Sequence, residues 1–165
     1  MWGTYQFLAA MLDREIGQES PMPFFAMLNS AKCSGADGRM DKVPDALHWR
    51  CRGYALGELA VLDPSIVWLQ GSTVRNVFDS NLSQPSNLDQ RISSWLDSEG
   101  INGSRVAAWM FGVAHEYFRT FSNAGKSILA IITPHPSDRY GRWGLFERTM
   151  MKMVAEIAVG LARKK

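Results

Sequence analysis

The chain has 165 residues and a mass of 18.5 kDa, which is enough for one well-buried domain, so we predict a single domain over residues 1–165. Its hydrophobic content of 46% and charged content of 21% exclude a disordered or fibrous class. The formal net charge of +2 does not by itself indicate a nucleic-acid partner. No apolar run is long enough to span a membrane and no signal peptide is recognisable, so we predict a cytoplasmic protein without a membrane partner.

The first part of the chain predicts a helix, a strand and a second helix. Apolar residues at helical spacing indicate a helix from about Tyr5 to Ile16. The run Phe24–Cys33 begins with apolar residues, which indicate a strand, and that strand closes on Asn29, whose amide offers a donor and an acceptor. A second helix is predicted from Pro44 to Asp63, since proline suits the first turn of a helix.

A second strand is predicted over Ile66–Gln70, and a short helix follows over Thr73–Phe78. Gly71 and Ser72 join the two elements. A glycine turn that leads into the amino terminus of a helix can receive a phosphate or another anion. Such a turn is as often only a tight joint between strand and helix, so both interpretations stay open.

The second half of the chain contains one segment that its pattern does not assign. Asn81–Asn87 is predicted to be a loop, Leu88–Leu96 a helix and Gly100–Ser104 a turn. Val106–Phe121 fits either strands or a helix. A long helix is predicted over Gly141–Leu161.

Between these segments, the apolar run Ile128–Ile132 predicts a strand that is buried on both faces, as in parallel sheets. Pro134 and Pro136 then force the chain to turn, and they hold His135 at the carboxyl end of that strand. Ligands bind at this end of the strands in open α/β sheets. The alternative is an ordinary surface-loop histidine.

The alternation of strands and helices predicts an α/β fold. We expect a three-layer α/β/α architecture with a short, mostly parallel central sheet.

Three of these segments, in this order, resemble motifs of the uracil-DNA glycosylase superfamily. They are Met27-Leu-Asn-Ser30, Pro64-Ser-Ile-Val-Trp-Leu-Gln-Gly71 and His135-Pro-Ser137. The resemblance implies that Asn29 reads uracil and that His135 stabilises the negative charge formed on the departing base. It also implies a monomer whose partner is DNA containing uracil or a similar damaged base.

The same resemblance implies a set of DNA contacts around the histidine. The residues concerned are Ser137, Arg139, Tyr140 and Arg142, and the turn at Gly71 and Ser72 is a further candidate for a DNA phosphate. The family often has leucine where this chain has Arg139, and an arginine fills a gap in the base stack less cleanly than an apolar residue. Either Arg139 or Tyr140 is expected to act as the wedge.

Cys33 and Cys51 resemble the second half of the four-cysteine set that binds a [4Fe–4S] cluster in the iron–sulfur branches of the family. Two thiolates cannot complete such a cluster, so two of its ligands would be missing from this chain. Two unrelated buried thiols are the alternative interpretation.

The chain departs from the family at its start, where nothing resembles the first strand and the loop that supplies the water-activating side chain. In the family, that strand lies between those that correspond to Phe24 and Ile66. We therefore expect an amino-terminally incomplete member that is inactive alone and is a base-excision N-glycosylase only in its full-length form. The alternatives are a non-catalytic, nucleic-acid-binding relative and, more distantly, an unrelated small-molecule α/β enzyme.

Overall fold

The computed structural model describes residues 2–12, 25–28, 45–136 and 140–162. The helices are α1 (Trp2–Leu12), α2 (Asp45–Leu62), α3 (Ser72–Val77), α4 (Leu88–Ser98), α5 (Arg105–Ala114), α6 (Arg142–Thr149) and α7 (Met151–Ala162). The strands are β1 (Ile66–Gln70), β2 (Leu82–Ser83), β3 (Phe118–Asn123) and β4 (Lys126–Thr133). Among these elements, no helix is both long and apolar enough to cross a membrane.

The four strands form one sheet in the order β1-β4-β3-β2. β1 and β4 are parallel, whereas β3 runs antiparallel to both β4 and β2. The sheet is therefore mixed, and the expectation of a mostly parallel sheet was wrong. The reason is the turn at Ala124 and Gly125, because a two-residue connection can join only antiparallel strands.

Helices cover both faces of the sheet, which confirms the α/β fold and its three layers. Alternate side chains of a strand point to opposite faces. On one face, Trp68 and Ile131 pack in a core with residues of α1 and of α4 to α7. On the other face, Leu69 and Ile132 pack against residues of α2 and α3.

Most predicted helices are present, but the long helix predicted over Gly141–Leu161 is two helices. They meet at Met150, which has φ −118° and ψ −20° and is buried. Because this φ differs from the helical value, the chain changes direction at Met150. Phe146 of α6 and Val154 of α7 are then buried in the same core. The ambiguous segment is also mixed, since α5 occupies its first part and β3 begins at Phe118.

The strand predicted over Phe24–Cys33 falls largely outside the described residues. Phe25–Leu28 are described, and they lie in neither a helix nor a strand. Asn29 and Cys33 are not among the described residues. In the sheet that the described residues form, β1 is an edge strand, and no strand occupies the interior position expected of the family's first strand.

Candidate site at the carboxyl ends of the parallel strands

The carboxyl ends of β1 and β4 meet at one edge of the sheet. Gln70, the last residue of β1, is in register with Thr133, the last residue of β4. The backbone N–H of Gly71 then donates a hydrogen bond of 2.8 Å to the carbonyl oxygen of Thr133. This bond holds the two chain segments together where both leave the sheet.

His135 lies against Gly71 at this edge. Gly71 has φ +89°, a conformation that side-chain-bearing residues rarely adopt. A Cβ built on Gly71 would lie 3.5 Å from the Cβ of His135, so the two residues are in close approach. Because the His135 side chain is exposed, it is accessible to a ligand at the edge. Sequence reasoning singled out both residues, and the structure brings them together.

Gly71 and Ser72 also form the joint between β1 and α3. Gly71 is the N-cap of α3, whose first residue is Ser72, and no side chain caps this end. The helix has only 6 residues, which is too short to contribute much of a helix dipole to an anion site. The structural role of this turn as a strand-to-helix joint is therefore well defined, and anion binding by it stays a prediction.

A group of polar side chains lies at the same edge on the face covered by α1. The indole N–H of Trp68 donates a hydrogen bond of 2.8 Å to Thr133 Oγ1, and Thr133 is only 3% exposed. Thr4, in the first turn of α1, donates to Gln70 Oε1 over 3.4 Å. Sequence reasoning missed Thr4 and Gln70. Gln70 could have been predicted, because it is a polar residue at the end of an apolar strand. Nothing in the sequence distinguishes Thr4 from other residues of the helix.

Two of the predicted DNA-contacting residues after the histidine are described. Tyr140 is 85% exposed, and the guanidinium carbon of Arg142 lies 5.5 Å from the centre of its ring, which is cation–π distance. Ser137 and Arg139 are outside the described residues. The structure therefore presents an aromatic side chain and a cation together, close along the chain to His135.

The predicted base-reading residue Asn29 is not described, so its convergence with His135 stays a prediction. Cys51 is buried in α2, at 3% exposure. It is the one predicted cluster ligand among the described residues, and these contain no group of three residues that could hold a metal ion. A four-thiolate cluster takes three ligands besides Cys51, so the cluster stays a prediction.

Comparisons with known proteins gave no relative: no protein-family model, no curated protein and no solved structure matches the chain. The resemblance to the uracil-DNA glycosylase superfamily accordingly depends on the three short motifs alone.

Proposed function

We propose that the chain, in its full-length form, is a base-excision N-glycosylase acting in the cytoplasm, as a monomer, on uracil or a similar damaged base in DNA. The observation that carries the proposal is the close approach of Gly71 and His135 at the shared carboxyl edge of two parallel strands. These two residues come from separate motifs that resemble those of the superfamily, in the order that the superfamily has them.

The proposed chemistry starts with a base that has left the duplex, because the glycosidic carbon is inaccessible within the stack. Cleavage of the glycosidic bond sends its electron pair to the base, where it appears as negative charge on a carbonyl oxygen, and a water molecule adds to the sugar carbon to give the abasic site. His135 donates a hydrogen bond to that oxygen and stabilises the charge as it develops. Asn29 reads the polar edge of the base in this proposal.

The exposed residues that follow His135 in the chain are proposed to contact DNA. Tyr140 offers a ring on which a base can stack, and Arg142 supplies a positive charge beside it. Gly71, Ser72, Ser137 and Arg139 are the further proposed contacts. Binding that depends on phosphate contacts weakens as the salt concentration rises.

Release of free uracil is the direct test. The purified full-length form would be incubated with labelled oligonucleotides that contain a single deoxyuridine, in single-stranded and in duplex form. Appearance of free uracil and of an abasic site supports the proposal. Intact, salt-sensitive DNA binding without release from any tested lesion contradicts it.

That second outcome would support the other candidate function, a non-catalytic nucleic-acid-binding protein. The specific observation in its favour is the pairing of an exposed Tyr140 with Arg142, which suits binding of single strands without any chemistry. In this case DNA binding would weaken as the salt concentration rises, and neither the unchanged protein nor a His135 variant would release a base.

A further inference from the structure

The side chain of Gln70 is held at the proposed site by a residue of α1. Gln70 is the last residue of β1, and its side chain lies on the same face of the sheet as that of Trp68. The ring centres of Trp68 and of Phe7 in α1 are 4.6 Å apart. On that face Thr4 is only 6% exposed, and its hydroxyl donates to Gln70 Oε1. The partly buried amide thus lies directly before Gly71, the residue on which a Cβ would approach His135 to 3.5 Å.

In the structure the amide oxygen of Gln70 faces the hydroxyl of Thr4, which donates to it. A glutamine amide has an acceptor end, the oxygen, and a donor end, the nitrogen with two hydrogens. Thr4 occupies the acceptor end. Among the described residues, this is the hydrogen bond that the amide makes, and it leaves the donor end for a ligand. Thr133, opposite Gln70 in the register, already receives the indole N–H of Trp68.

We infer that Gln70 is a specificity-determining residue of the proposed site, and that its Nε2 donates a hydrogen bond to a carbonyl oxygen of the bound base. This inference depends on the proposed function. Uracil carries two ring carbonyl oxygens, and each can accept more than one hydrogen bond, so donors from His135, Gln70 and Asn29 can all bind it. Cytosine has an amino group in place of one carbonyl, and an amino group cannot accept a hydrogen bond from Gln70.

The substitution Gln70→Glu isolates the donor end of the amide. Glutamate has the size of glutamine and its carboxylate still accepts from Thr4, but the donor at the other end becomes an acceptor. Free uracil is the probe, because the neutral base, unlike DNA, does not respond to an added charge through phosphate repulsion. Its binding to the purified chain would be followed by NMR titration.

We expect Gln70→Glu to weaken uracil binding by about tenfold or more, which is the effect of losing one well-placed hydrogen bond. Gln70→Met, which has the same length and no hydrogen-bonding group, should also lose binding, and it keeps the test decisive should the glutamate variant fail to fold. Gln90→Glu, on the exposed surface of α4, is the matched control and should leave binding within about twofold.

The outcomes separate the two proposals. If the unchanged protein does not bind uracil at all, the proposed function is wrong and this inference is wrong with it. If the unchanged protein binds uracil and folded Gln70→Glu binds it equally well, the inference about Gln70 is wrong and the proposed function stands. Loss of binding in both Gln70 variants, with Gln90→Glu unaffected, supports the inference.

Discussion

Trp68 and Thr133 are joined by a side-chain hydrogen bond of 2.8 Å across the parallel strand pair, directly beneath the proposed site. Thr133 is buried, so loss of either partner leaves a polar group without its bond. We expect Trp68→Phe and Thr133→Val each to lower the free energy of unfolding by about 1–3 kcal/mol. The double variant should lose less than the sum of the two. Urea denaturation of the four proteins measures this coupling, and strict additivity would contradict it.

His135 should be required for the rate of base release but not for DNA binding. Removal of one donor to a developing negative charge typically reduces the rate about 10²–10³-fold, and we expect that loss for His135→Ala. Lys126→Ala is the control, because Lys126 lies at the opposite end of the same strand, in an exposed ion pair with Asp63. Single-turnover kinetics on a uracil-containing oligonucleotide measures both variants. An equal loss in both would refute a specific role for His135.

Gly3 is needed for the docking of α1 on α6. A Cβ on Gly3 would lie 2.7 Å from the indole of Trp143, which is itself buried against Phe146 and therefore has little room to move. We expect Gly3→Ala to destabilise the fold by about 1–3 kcal/mol through overpacking. Gly53→Ala makes the same change in α2, where no atom lies within 4 Å, and should be neutral or stabilising by up to about 1 kcal/mol. Thermal unfolding of the two variants distinguishes these opposite signs.

The turn between β3 and β4 contains an alanine in an unfavourable conformation. Ala124 has φ +49° and Gly125 has φ +76°, as a two-residue hairpin turn with positive φ at both positions requires. Asparagine adopts this region more readily than alanine does. We expect Ala124→Asn to raise the free energy of unfolding by roughly 0.5–1 kcal/mol. The same change at the exposed helical position Ala108 should lower it by about 0.5 kcal/mol, and equal signs at the two positions would rule out the turn as the cause.

Tyr117 should make stability fall in alkaline solution. Burial, together with the neighbouring charge of Glu116, raises the pKa of the Tyr117 phenol above its ordinary value of 10.0. The folded state therefore favours the neutral phenol. Its contribution is fully present below the unfolded-state pKa of about 10 and is lost as pH rises through the higher folded pKa. Urea denaturation at pH of about 9 and about 11 should show a smaller alkaline loss for Tyr117→Phe than for the unchanged chain. An identical loss in both proteins would contradict this assignment.

The elements that sequence reasoning predicted well are those bounded by strong local signals. Gly71 ends β1, Pro134 follows the last residue of β4, and Asp63-Pro64 follows α2. Each of these residues restricts the backbone by itself, so a single sequence contains the information. Sequence reasoning placed Gly71 and His135 each at the carboxyl end of a predicted strand, but it did not predict that these two residues lie close together.

The features that sequence reasoning missed depend on packing between distant segments. The division of α6 from α7 at Met150 involves no glycine or proline, and it is set by the core into which both helices direct apolar side chains. In α1 the fully buried aromatic residue is Phe7, whereas Tyr5 is only partly buried, and sequence reasoning did not single out Phe7. The bond between Thr4 and Gln70 joins residues from two segments whose pairing has no local signature.

The sheet also implies an order of folding. β3 and β4 meet locally, since Asn123 pairs with Lys126, whereas β1 joins β4 through residues far apart in the chain, Ile66 with Leu129. Closing a long loop costs more entropy than closing a hairpin, so we expect the hairpin to form early and β1 to dock late. Gly71 reaches His135 only with that last step. Partly folded chains would therefore lack the site altogether, and any activity should recover in step with the slowest phase of refolding.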